Sequence, residues 1–122
     1  MPRYSKQIQN FLAAVGADPT LHVQMVPKSD SCARPGDVLF FRYKLGEGGG
    51  SRRERLFMVV EPITKEPRTG NLLLVGFKVP DDGIYTPESL EDLYKNKDLP
   101  EDGYRTYRLN RTWGPLRRIR KE

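Results

Sequence analysis

The stretch Val38-Leu39-Phe40-Phe41-Arg42-Tyr43-Lys44 follows the turn signal Pro35-Gly36-Asp37, and its reading decides the fold. Successive side chains of an extended chain point to opposite faces. Leu39, Phe41, Tyr43 and Leu45 therefore share one face, and Val38, Phe40, Arg42 and Lys44 the other, a pattern that predicts a half-buried strand. Arg55 to Glu61 and Asn71 to Val79 are apolar through their centres, and their β-branched and aromatic content favours strands over helix turns. The connection Pro62 to Gly70 carries two prolines and ends in Gly-Asn, the chemistry of a hairpin with a long loop.

Working outward, Ile8, Phe11, Leu12 and Val15 recur at i, i+3, i+4 and i+7, which predicts an amphipathic helix over 5–15. Ser5 stands as its N-cap, Gly16 as a left-handed C′ residue, and Asp18-Pro19 stops it. So short a helix needs a surface to dock on, either its own domain or a partner. Leu21 to Val26 reads as a short strand within the connector 20–33. A second helix over 87–96 opens with Thr86 as N-cap, Pro87 at N1 and Glu88 in the first turn. Tyr104 to Asn110 alternates as a strand, Trp113-Gly114-Pro115 reads as a turn, and Leu116 to Arg120 as one more short strand. The order predicts a single mainly β (α+β) domain over 1–122, a small antiparallel barrel or strongly twisted sheet, with an N-terminal helix and a short inserted helix.

The chain has 122 residues, 30% of them charged, and a formal net charge of +5. No stretch approaches the 18 or so apolar residues needed to span a bilayer, and the first residues lack a signal peptide's apolar run, so a cytoplasmic protein is expected. One cysteine forms no internal disulfide, and one His with one Cys makes no His/Cys zinc site. The charge is segregated along the chain. From Asp81 to Asp102 eight acids stand against two lysines; from Gly103 to Glu122 six arginines and a lysine stand against one glutamate. A second basic cluster, Arg52-Arg53-Glu54-Arg55, follows the glycine-rich stretch 46–51.

Guanidinium groups fork onto phosphates, and aromatic faces stack on unpaired bases. Arg52, Arg53, Arg55, Arg105, Arg108, Arg111, Arg117 and Arg118, with Tyr107 or Trp113 as stacking platforms, are thus candidate contacts to RNA or DNA. An acidic protein partner, or pairing with the 81–102 acids, accounts for the same charges. The stripe Ile8, Phe11, Leu12, Val15 is the candidate surface for a host protein such as a polymerase or nuclease. Catalytic signals are thin. Gly46 to Ser51 lacks the lysine and following helix of a phosphate loop and reads as a mobile connection. His22 and Cys32 sit ten residues apart with nothing to align them as a catalytic pair. No catalytic residue, metal site or cofactor is assigned.

Several short motifs carry a resemblance. Gly36-Asp37 opens the first long strand, Arg55 leads the next, Val59-Val60 lie within it, and Thr69-Gly70 closes the hairpin. Over residues 35–79 this resembles the small SH3-like β-barrel of the MazF/PemK toxin endoribonucleases. That resemblance implies an SH3-like barrel and, carried over by position, one site residue, Arg55. Leu56 stands where the family has proline, and Lys78-Val79 where it has the threonine that pairs with its arginine. The compact, basic, cysteine-poor style also resembles accessory proteins of bacterial viruses. The expected function is non-catalytic nucleic-acid binding, with a protein-interaction modulator and a MazF-like ribonuclease as the alternatives.

Overall fold

Alternation in the centre of the chain becomes a ladder of strands in the computed structural model, which describes residues 6–44, 52–80 and 85–121. Strands β1 (Leu21–Val26), β2 (Val38–Lys44), β3 (Arg52–Val59), β4 (Thr64–Lys65), β5 (Leu72–Lys78), β6 (Tyr104–Arg108) and β7 (Thr112–Lys121) form one antiparallel sheet. Its order is β1-β7-β2-β3-β5-β4, with β6 on the other side of β5. Helices α1 (Lys6–Ala17) and α2 (Pro87–Lys95) complete an α+β fold. Among the described residues no ladder joins β1 to β4 or β6, so the sheet is open where a closed barrel was expected.

Both sides of β2 are covered, which corrects the half-buried reading. Val38, Leu39, Phe40 and Phe41 are all buried because β2 lies between β3 and β7. On one face Val38, Phe40, Leu56, Met58, Phe77 and Ile119 meet Ile8, Phe11 and Val15 of α1 and Leu90 of α2. The apolar stripe of α1 is thus spent on its own sheet, with Leu12 packed at the margin, and is not an open partner surface. On the other face Leu39, Phe41, Phe57, Val59 and Leu74 pack with Tyr107, Leu109 and Leu116. Gly76 permits the close approach of β5 to β3, since a Cβ there would run into the Met58 carbonyl oxygen.

Local signals hold at most element ends. Thr86 caps α2 through a reciprocal box: its hydroxyl accepts from the Ser89 amide and the Ser89 hydroxyl accepts from the Thr86 amide. Gln7 fixes the approach to α2 by pairing both sides of its amide with the Tyr85 backbone, at 2.9 and 3.3 Å. Gly16 is not the left-handed terminator; α1 runs on through Ala17, and Pro19 ends it. Ser5 and the stretch 46–51 lie outside the described residues. The hairpin 62–70 is shorter than expected, because Thr64 and Lys65 rejoin β5 and Gly70 turns the chain at φ 72°.

The largest correction is at the C-terminus. Trp113-Gly114-Pro115 makes no turn but lies within the ten-residue strand β7. Between the pairs Arg42↔Trp113 and Phe40↔Arg117, β2 supplies one residue and β7 three. A bulge of this kind absorbs Pro115, which has no amide proton to give to a ladder. The last strand then runs between β1 and β2, pairing with both.

Candidate nucleic-acid interface

Register brings the two basic clusters together. Along the β2–β3 ladder Phe41 lies opposite Arg55, Tyr43 opposite Arg53 and Lys44 opposite Arg52. On the other side of β2, Tyr43 lies opposite Thr112, so Arg111, the residue just before β7, is at the same end of the sheet. Residues 52–55 and the start of the C-terminal basic segment, far apart in sequence, therefore occupy neighbouring strand ends.

Curling of the sheet adds β6. Although β3 and β5 separate β6 from β2 in the ladder, the Tyr107 ring lies edge-on to Tyr43 at 4.6 Å and to Phe41 at 5.6 Å. Phe57 completes the group at 5.2 Å from Tyr107. Arg55, between Phe57 and the basic end on the same side of β3, is inserted beside these rings. It is only 6% exposed, and its Nε and Nη1 have no hydrogen-bond partner. The Tyr107 hydroxyl hydrogen-bonds with this guanidinium, and Arg105 lies close enough to act on the same phenol. Burial raises the Tyr107 pKa, against the opposing pull of the two arginines.

A buried cation without a counterion costs several kcal/mol unless an anion joins it. Among the described members of the predicted set, Arg55 has two buried guanidinium nitrogens without an acceptor and Arg118 one, its Nε. Tyr107 is 7% exposed, and its ring is occupied by other aromatics, so it supports Arg55 rather than offering an open face. Tyr43, half-buried beside it, was not assigned a role from sequence; its place on the Leu39–Phe41 face was the available signal.

The other arginines divide. Arg105, Arg108 and Arg111 are exposed. Arg105 donates from Nη1 to the carbonyls of Asp102 and Tyr104, and Arg108 lies 3.9 Å from Glu66. Arg117 is half-buried opposite Phe40. Arg118 serves the fold: it reaches the Cys32 carbonyl at 3.3 Å and Gln24 Oε1 at 2.8 Å, which ties the connector to β1 and β7. Arg52, Arg53 and Trp113 are placed by their ladder positions alone, and the calls on their side chains lie outside the described residues.

The acids of α2 face elsewhere. Glu88, Glu91 and Asp92 of α2, with Asp18 and Asp37, line an open hollow of about 700 Å³ between α2 and the strands. Lys95 pairs with Glu91 at 2.8 Å within that segment, and Arg120 approaches Asp37 at 3.8 Å. A carboxylate-rich surface repels a polyanion, so this side is outside the candidate interface. His22 is exposed on β1, whereas Cys32 is buried, and burial pushes its thiol pKa up, away from nucleophilic use. Among the described residues no three His, Cys, Asp or Glu side chains gather as a metal site, and no helix is long and apolar enough to cross a membrane. Comparison with protein-family models, curated proteins and solved structures finds no match for this chain.

Proposed function

We propose that the protein is a non-catalytic nucleic-acid-binding module whose contact surface is the basic end of the curled sheet. The observation that carries this reading is Arg55, nine-tenths buried with two guanidinium nitrogens unpartnered, in a strand whose basic end lies level with the start of β7. A phosphate supplies the missing charge and accepts both hydrogen bonds, while exposed Arg105, Arg108 and Arg111 follow the adjoining backbone. The SH3-like barrel plan belongs to this reading, since a sheet curled until Tyr107 of β6 meets Tyr43 of β2 approaches that plan. A cytoplasmic accessory protein, of the kind bacterial viruses encode, is the setting it fits.

Fluorescence anisotropy with labelled RNA and DNA oligonucleotides tests the proposal. Binding should weaken steeply with salt, the logarithm of affinity falling by about 0.7 per phosphate neutralised on a single strand. Arg55→Met should weaken binding about 10- to 100-fold, the cost of losing a charge-assisted pair. Arg105→Glu should weaken all sequences alike. Salt-insensitive binding, or none, removes the proposal. Cleavage of a long RNA that Arg55→Ala abolishes would instead favour the MazF-like ribonuclease.

A further inference from the structure

Among the described residues the sheet ends at β1, a strand without a charged side chain. Exposed edges present unpaired amides and carbonyls to other chains, and proteins blunt them with charges, prolines or bulges. In a chain with 30% charged residues, Leu21-His22-Val23-Gln24-Met25-Val26 contains no Asp, Glu, Lys or Arg, and all six residues run in unbroken register with β7. Val23 is 50% exposed and Met25 72%. At the far side of the sheet β6 bears exposed Arg105 and Arg108. One edge is charged and the other bare.

The bare edge is also self-complementary. Within the strand, read outward from Val23, His22 matches Gln24 and Leu21 matches Met25, and Pro19 and Pro27 flank the strand on its two sides. An antiparallel two-fold partner centred on Val23 sets each residue opposite its match. Apolar Leu21 and Met25 then face each other on the side where Val23 meets its own copy, and polar His22 and Gln24 face each other on the opposite side. The prolines, which lack amide protons, stop the pairing at both ends and oppose register slip.

We infer that β1 is a self-association edge, at which two copies of this chain pair antiparallel about Val23 to make one continuous sheet. The occupant is a second copy, because the match of polarity about Val23, bounded by a proline on each side, is a match of the strand to itself. This inference is independent of nucleic-acid binding, which uses the other end of the sheet.

Analytical ultracentrifugation of the full chain from 1 µM to about 1 mM, without nucleic acid, tests it. The expected result is a reversible dimer, with Val23→Lys raising its dissociation constant at least about 10-fold, because one substitution puts two like charges on the axis. A second variant reads the register: Val23→Cys should yield a disulfide-linked dimer on mild oxidation. Met25→Cys should not, since two-fold pairing about Val23 holds the two copies of residue 25 four positions apart. Circular dichroism checks that these exposed-site variants fold. A monomer throughout, a dimer indifferent to Val23→Lys, or cross-linking through Met25→Cys but not Val23→Cys would overturn the inference.

Discussion

The two faces of the sheet solve the same problem differently. Neighbours on one strand serve both, as Arg55 and Phe57 point to one side and Leu56 and Met58 to the other. On the second side the cover comes from two helices that contribute Ile8, Phe11, Val15 and Leu90. On the first the sheet supplies its own cover by curling, and the contact is closed by tyrosines and a buried arginine. A face covered by helices can be wholly apolar. The face covered by its own curl instead buries aromatic rings with hydroxyls and a cation.

The contrast is open to direct attack, and the largest effects are in the cores. Phe11→Ala, on the helix side, and Phe57→Ala, on the curled side, each remove a fully buried ring and should each cost about 3–5 kcal/mol in urea unfolding. A loss near zero for Phe11→Ala would mean that α1 is an appendage rather than half of the core.

Adjacent positions sharpen the comparison at smaller scale. Leu56→Met, toward the helices, should cost less than about 1.5 kcal/mol as a near volume-conserving swap. Arg55→Met, toward the curl, should be neutral or raise stability by about 1 kcal/mol, because it removes a buried charge with two unpartnered nitrogens and no ion pair among the described residues. The same variant should lose nucleic-acid affinity. Substantial destabilisation by Arg55→Met, measured beside Leu56→Met, would show instead that the arginine is part of the structural core.

The smallest effect is pH dependence, and it should reside in the curled face. Burial raises the pKa of the Cys32 thiol and of the Tyr107 phenol above their ordinary 9.0 and 10.0. The folded protein holds these protons more tightly, so their contribution is complete below the ordinary values and is lost as pH rises through the raised ones. Melting temperature should therefore fall from about pH 9 upward, and Tyr107→Phe should flatten the decline.

Much of this was legible in the chain. The periodicity of Ile8 to Val15, the Thr86-Pro87 start of α2 and the alternation at 38–44 are local signals, and each element formed where its signal lay. The site was legible only as a list of arginines. Nothing local distinguishes Arg55, whose neighbours bury it, from Arg118, which is committed to Cys32 and Gln24. Trp113-Gly114-Pro115 misled for a related reason: a strand with a neighbour on each side can hold Gly-Pro in a bulge, and no sequence window contains the neighbours.

By itself the sequence determined the elements, their polar and apolar sides, the segregation of charge and the self-matching pattern about Val23, because these depend on residues close together in the chain. Only the tertiary structure decided which strands are neighbours, and with that the meaning of the charge. Insertion of β7 between β1 and β2 carries Arg117, Arg118 and Arg120 away toward β1 and leaves Arg111 beside the 52–55 cluster. Curling then carries β6 across to β2, and the contact between Tyr107 and Tyr43 leaves Arg55 buried beside them without an anion. Such pairings depend on the shape of the whole sheet, in which residues far apart in sequence become the nearest neighbours.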